Sequence, residues 1–569
     1  MSNRSTTKGL FVFLLTLSVG TFASLFAQNK ALDRQYDPII FDAIEASTAL
    51  IGLPIAELTA YKYNAGLNTF TAIPFQIDEV DNGGKFFLET DGMIDSNDEV
   101  VFMPGDTGDR AGTDKWLSDT ASQQNPRIEI EADDPLAPGK KGWIYLFRNV
   151  SNPPVNVPSY VQHSNPPVNT GADTVKGLSY VTGHTNNGVP NFQLIKRLNG
   201  QLSQNLIDRL KLRVRGRATI IITFSYEANE DNAIKFVSLK YGGGKVRGLR
   251  ELRFGLSINT PFGGVVIDTV AFVTQYFPYS STLVAKDAKL DSATAALAGV
   301  NLIRQSLDFN ANVLTQNMKF YNAFNTTGFD IDGSAEAPMP TVVDSEVNWF
   351  MANGNPGGVV VLLTVPAIGD ARNLYYRDNA TGGTADGTAD TGDGKSYGDF
   401  GMQITDNKIE GSFSLDLNLS MFYLDPTSEI LSNPANAGAQ FKMWQDSTVN
   451  VVATSQFFVS SVESPADGTP EVFGLYEAYP NPFAVSRERT RISFNLGLER
   501  GQPEIGIYNL VGQQVARFTT AAGLRSGKGR QELLWNGRDR NGRLLPAGVY
   551  FYRLRAGAQV VTKKLILVR

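Results

Sequence analysis

Four aspartates, Asp386, Asp390, Asp393 and Asp399, fall within GTADGTADTGDGKSYGDFG, where interspersed glycines let the backbone turn several carboxylates toward one point. Calcium is held by roughly six to eight oxygens drawn from flexible loops of this kind, so a structural calcium ion is the chemistry this spacing offers. A second acidic group, Asp91, Asp95, Asn97 and Glu99, lies in TDGMIDSNDE, and a third places Asp330 and Asp332 before Gly333. None follows the EF-hand register with its closing glutamate. Asp, Asn and Gly are also what solvated turns are made of, so both readings stand.

Basic residues form two further sets. Lys211, Arg213 and Arg215 alternate with Leu210, Leu212 and Val214, which predicts a half-buried strand with a basic outer face. Lys245, Arg247, Arg250 and Arg253 follow in a short run. Together they could engage a polyanionic polysaccharide, and a lyase would add Tyr226 or Tyr241 as base, with arginine neutralising the uronate. The plain alternative is the polar face of two strands. Carboxylates are so numerous that no glycosidase pair stands out.

Composition removes other chemistries. The chain has no cysteine, so disulfides, thiolate nucleophiles and thiolate-held metals are out. His163 and His184 are the only histidines, which excludes a three-histidine metal site. The motifs G-x-S-x-G and H-E-x-x-H, a phosphate loop and a dinucleotide fingerprint are all missing.

The elements that must position these residues read as strands. At 569 residues, with 54 Gly and 27 Pro, the chain predicts several mainly β domains built as antiparallel sandwiches. Residues 1–27 read as a signal peptide: Arg4 and Lys8, then apolar Leu10 to Leu17, then small residues that place cleavage before Ser24 or Gln28. No later apolar run is long enough to span a bilayer as a helix. Residues 28–150 carry strand signals around Phe70 to Asp78, Val100 to Met103, Arg127 to Glu131 and Gly142 to Phe147. Residues 151–172, with SNPPVN at 151 and again at 164, read as a proline-rich connector.

Residues 173–460 predict a central β-sandwich region. Ala218 to Phe224 (ATIIITF) and Val359 to Val365 are expected as fully buried strands, the second after the turn Asn353 to Gly358. Ser292 to Ile303 is the best helix candidate. Residues 461–475 are polar and read as a linker.

Charge divides the chain at that linker. From Leu475 to Arg569 there are 16 Lys+Arg and 6 Asp+Glu, against 35 and 51 in the remainder. The C-terminal part also has the densest motifs. They are Tyr479-Pro480-Asn481-Pro482-Phe483, Ile505-Gly506-Ile507-Tyr508-Asn509 leading to Gly512-Gln513-Gln514-Val515, and Trp535-Asn536-Gly537-Arg538-Asp539 before Asn541-Gly542. Gly548-Val549-Tyr550-Phe551-Tyr552 comes last. Turn-rich spacing predicts six short strands. In this order the motifs make residues 476–569 resemble the C-terminal sorting domain of type IX secretion cargo, and equally the Ig-like domain similar to that of the flagellar hook-capping protein. The resemblance implies an Ig-like sandwich read by an outer-membrane translocon. It covers nothing upstream. The basic excess reads as a solvated surface and not a nucleic-acid site, since no aromatic stacking platform accompanies it.

These readings converge on a protein exported through the inner membrane and delivered to the outer cell surface or beyond. Its expected partners are the secretion translocon, through residues 476–569, and polysaccharide or other cell-surface material. The body reads first as a non-enzymatic binding or structural module, and second as a carbohydrate-active lyase or hydrolase.

Overall fold

In the computed structural model the chain forms two compact units, Met1–Val459 and Ser460–Arg569, which are described separately. The structure describes residues 28–458 apart from 89–90, 165–169, 220–221, 262, 286–288, 291–298, 337–347, 365–370, 407–412 and 415–416. It also describes residues 474–568 apart from 477, 485–488, 497–502, 511, 520–529, 541 and 558. The expected signal peptide, most of the expected linker and most of the second SNPPVN hexapeptide lie outside these residues.

The first unit opens with a strand, Ile39–Asp42, of a small three-stranded sheet and then builds a five-stranded antiparallel sheet. Its order is Asn450–Gln456, Arg127–Asp133, Lys141–Arg148, Leu58–Asn64 and Thr69–Ala72. Lys141–Arg148 reads KGWIYLFR because both of its faces are buried. Ile144 and Leu146 pack with Ile128 and Ile130, while Trp143, Tyr145 and Phe147 pack with Tyr61 and Tyr63 on the reverse. The edge strand Asn450–Gln456 arrives from the far end of the body to pair with Arg127–Asp133. The sequence-derived segments 28–150 and 173–460 therefore share a sheet.

The middle of this unit is a sandwich of two sheets. The smaller has five strands in the order Thr223–Asn229, Ile207–Thr219, Val300–Phe309, Ser396–Thr405 and Ala371–Asn379. The larger has nine, running from Ile234–Gly243 through Gly248–Thr260, Gly263–Tyr276, Ser280–Ala285 and Leu417–Leu424 to Gly357–Thr364 and beyond. Ile303, Leu307, Phe400 and Met402 of the smaller sheet meet Phe254, Val359, Val361 and Leu419 of the larger in one core. A 13-residue helix, Pro434–Asp446, covers the outside of the larger sheet through Ala437 and Phe441 against Trp349 and Phe422. Gly438 permits that approach, since a Cβ there would run into the Trp349 ring.

The buried strand expected near Val359 is present as Gly357–Thr364, paired in a hairpin with Asn348–Gly354. Three local expectations need correction. ATIIITF is not one buried strand: Ala218 and Thr219 pair with Phe224 and Thr223 across a hairpin, and Ile222 is half exposed; residues 220–221 lie outside the described ones. The expected helix Ser292 to Ile303 ends in the strand Val300–Phe309, because its apolar residues pair on both edges with neighbouring strands; residues 291–298 lie outside the described ones. The basic face of Ile207–Thr219 is not an outer face. Lys211 and Arg213 are fully buried, whereas Leu210, Leu212 and Val214 are only partly so.

The second unit is a β-sandwich of a three-stranded and a five-stranded sheet. The six strands expected from its turn spacing are all present, from Thr490–Asn495 to Gln559–Val568. Ile492, Phe494, Ile505, Ile507, Trp535, Tyr552 and Leu565 fill its core. Among the described residues no helix in either unit is long and apolar enough to cross a membrane.

Candidate functional site

The acidic loop and the basic strand, read separately in the sequence, are each other's partners. The loop 380–395 connects Ala371–Asn379 to Ser396–Thr405 and folds over the face carrying Lys211, Arg213 and Arg304. Asp386 lies 3.3 Å from Arg304 Nε and accepts from Thr388 and Gln403. Asp390 sits 2.6 Å from Lys211 Nζ. Asp399, on the following strand, is fully buried with Arg304 Nη1 at 3.7 Å. Arg213 is bound to Glu230 at 2.5 Å, to the Ala389 carbonyl and to the Thr391 hydroxyl. Arg304 also lies over the Tyr375 ring, 4.2 Å from its centroid. Pairing of this kind is what lets charges stay buried.

Asp393 is the exception among the four expected calcium ligands: it is exposed, and its backbone N–H reaches Asp208. Asp208, Asp308 and Asp393 offer ligand oxygens within 4.8 Å of one another. Lys211 Nζ already lies 2.7 Å from Asp308 Oδ2. Burial first, and then the Asp399 charge, push the Asp308 carboxyl well above its ordinary range. Gly392 holds a positive φ in this loop, and a Cβ there would strike the Asp208 carboxylate.

The other acidic groups disperse. Asp91 caps its own turn through the Met93 N–H, Asn97 donates to the Val80 carbonyl, and Glu99 pairs with Arg247 at 2.6 Å. Asp95 donates its backbone N–H to Asp98, which also accepts from Val80 and organises the turn. Asp330 binds Lys319 and Asp332 accepts from Ser334. The basic run is likewise engaged. Arg247 is buried against Asp78 and Glu99, and Arg250 against Asp173, while Arg253 is exposed. Burial pushes the hydroxyl of Tyr226 upward and that of Tyr241 to about 12, away from the range of a ready base.

Sequence reading missed a second buried polar cluster. His163 Nε2 lies 2.8 Å and His184 Nδ1 2.6 Å from the two oxygens of Asp173, and Arg250 holds the same carboxylate through two nitrogens at 2.8 and 3.0 Å. Tyr276 Oη is 2.9 Å from His184 Nε2, and Tyr241 stacks on His163 at 3.5 Å. Burial alone would raise Asp173, but hydrogen bonds from both histidines and Arg250 hold it well below the carboxylate range. Burial first, then the charge of Arg250, push His184 down to about 4 against the pull of Asp173. The available signal was that both histidines flank Asp173 at near-equal spacing in the chain.

His184, Arg250 and Tyr276 end at a cavity of about 180 Å³ between the two sheets, lined mainly by aliphatic and aromatic side chains. An apolar void of that size, left empty, costs roughly 4 kcal/mol at ~24 cal/mol per Å³.

In the second unit the motif residues are the fasteners. Asn481 of PNPF accepts from Ile566 N–H and donates to the Lys564 carbonyl, tying the opening loop to the last strand. Trp535 is buried and donates to the Arg538 carbonyl across its turn. The Tyr552 hydroxyl donates to the Tyr476 carbonyl and accepts from Ala478 N–H.

Residues 477–568 match the family described as the secretion system C-terminal sorting domain. That domain directs its bearer to the cell surface or the extracellular space, so the chain is a secreted cargo. No curated protein is similar to the chain. Among solved structures it is similar to dimeric latent PorU from Porphyromonas gingivalis, at 13% identity and a TM-score of 0.14, covering 74% of this chain and 35% of that one. It is also similar to PorZ of the same organism, described as an essential bacterial surface component of the type IX secretion system. That likeness has 10% identity and a TM-score of 0.13, covering 69% of this chain and 50% of PorZ. The chain thus spans about a third and a half of these two proteins, and at such scores neither likeness carries an argument.

Proposed function

We propose that this protein is cargo of the type IX route, exported by a cleaved N-terminal signal and presented by its Ig-like C-terminal unit. In this reading its body is a non-catalytic binding or structural component of the cell surface. The observation that carries the delivery half is the sorting-domain match over residues 477–568. The non-catalytic half is supported by the way the charged groups are engaged. Arg247 and Arg250 are buried in ion pairs, and Tyr226 and Tyr241 are raised in pKa by burial. An enzyme acting on acidic polysaccharide would need those same groups free to meet substrate.

The test is removal of residues 476–569 in the native host. The truncated body is expected to accumulate in the periplasm. Its undiminished appearance at the surface or in the medium would overturn the reading. Sequencing of the exported full-length protein is expected to begin near Ser24 or Gln28.

A further inference from the structure

The cavity between the two central sheets is bounded by residues that a filled sandwich would bury. Leu210, Leu212, Val214, Leu256, Phe272 and Leu283 line it, and each keeps partial exposure although it packs against the core. Interiors normally close to crystal-like density, so apolar side chains left partly open between two well-ordered sheets mark room for an apolar guest. One wall group points the same way. The Tyr226 hydroxyl, on a residue only 5% exposed, has no hydrogen-bond partner among the described residues. A buried hydroxyl without a partner is costly, which marks the wall as incompletely packed at that point.

A second cavity, also about 180 Å³, adjoins the first: both are lined by Val189 and Glu230. Its remaining walls are polar, namely Thr185, Asn186, Asn187, Arg209 and Asp231. Arg209 is already paired with Asp208, Glu230 and Asp231, and Arg213 with Glu230, so the three carboxylates there outnumber the two cations. Amides, a hydroxyl and excess carboxylate favour hydroxylated groups and repel an anion.

We propose that the two cavities form one site for a single-chain amphiphile, with its apolar chain between the sheets and an uncharged, hydroxylated head among Thr185, Asn186, Asn187 and Asp231. The inference rests on the reading of the body as a binding module and specifies what it binds. A glycerol head and a sugar head share this chemistry, and the experiment separates them.

Purified full-length protein is titrated with N-phenyl-1-naphthylamine, a neutral dye that fluoresces in apolar surroundings. The bound dye is then competed with monolauroylglycerol, with dodecyl maltoside below its micelle concentration, and with laurate. Wild-type protein is expected to bind the dye, and one or both neutral amphiphiles to displace it about tenfold more tightly than laurate. The tighter of the two identifies the head. Leu283→Trp fills the apolar cavity and is expected to abolish dye binding while its unfolding midpoint stays at or above that of wild type. Val214→Phe, a smaller increment, decides the matter if Leu283→Trp does not fold. Asp231→Asn is expected to narrow the discrimination against laurate.

The proposal is overturned if wild type takes up no dye, if laurate competes as well as the neutral amphiphiles, or if a folded, cavity-filled variant still binds. Because purified protein is used, these results do not depend on delivery, and failure of the tag deletion would leave them unchanged.

Discussion

The strand Ile207–Thr219 has two faces, and they are packed in opposite ways. Its charged face, Lys211 and Arg213 with Arg304 beside them, is closed by the acidic loop until all three cations are fully buried. Its apolar face, Leu210, Leu212 and Val214, looks into a cavity. The usual division of labour, in which apolar residues pack tightly and charges stay wet, is reversed across one sheet. Ion pairs and hydrogen bonds are directional, so they fix the loop and the strand register at defined points. Apolar contact is non-directional and tolerates an opening. Specific structure on one side thus leaves usable volume on the other.

That contrast can be broken from either side, and the largest effect is expected on the charged face. Arg304→Ala leaves Asp386 and Asp399 buried without their cation. Removing one partner of a buried pair costs about 3–5 kcal/mol, which urea denaturation should register as a large fall in midpoint. Leu212→Ala on the apolar face is the matched control. An ordinary buried Leu→Ala costs roughly 2–5 kcal/mol, but Leu212 already borders a void, so a loss of about 1–2 kcal/mol is expected. Equal losses at the two positions would erase the distinction between the faces.

The next effect tests the polar end of the cavity through pH. His184, packed against Asp173, Arg250 and Tyr276 with His163 across the same carboxylate, is held near 4 when folded, against about 6.5 in the unfolded chain. Its folded value is depressed, so the unfolded chain takes up the extra proton between these values. The stability is fully present above pH ~6.5 and is lost as pH falls toward 4, by about 3 kcal/mol. Asp37 and Asp378, raised to about 6 by burial, titrate in the same window with the opposite sign. Comparing wild type with His184→Gln at pH 7 and pH 4.5 cancels their contribution. Parallel midpoints for the two proteins would show that His184 carries none of the dependence.

How much of this was legible follows from how local each signal is. The sorting unit was read nearly strand by strand, because its strands join in short hairpins and Trp535 bonds within its own turn, while Asn481 is the long-range exception, bound to Lys564 and Ile566. The KGWIYLFR strand was legible for the same reason: its continuous apolar run implies two buried faces. The body's site was not. Lys211 and Asp390 are remote in sequence, and alternation alone says that a strand has two faces without saying which is covered. The Asp173 cluster escaped because it joins five separate strands, those carrying His163, His184, Tyr241, Arg250 and Tyr276, to Asp173. Val300 to Ile303 read as the end of a helix because they follow an Ala-rich stretch, but propensity is weak, and pairing on both edges made them strand.

The smallest effect is expected from removing divalent cations, and it bears on what the acidic loop is for. A loop of aspartates with glycine hinges can be a cation cage or the lid of a basic face, and the two make different demands on the carboxylates. A cage needs their oxygens turned to one empty centre, with no competing charge there. A lid needs each carboxylate turned to its own cation, which is the arrangement of Asp386 at Arg304 and Asp390 at Lys211. Among the described residues only Asp393, with Asp208 and Asp308, keeps oxygens close together, and the Lys211 ammonium already stands beside Asp308. Excess chelator should therefore leave the melting temperature of the full chain unchanged. An ion bound to the native state alone at a hundredfold excess over its Kd would add about 2.7 kcal/mol, so its loss would be plain in a melting curve. A fall on chelation that calcium restores and magnesium does not would make the loop a cage. If Asp393→Asn then abolished the response while Asp386→Asn did not, the ion would belong to Asp208, Asp308 and Asp393.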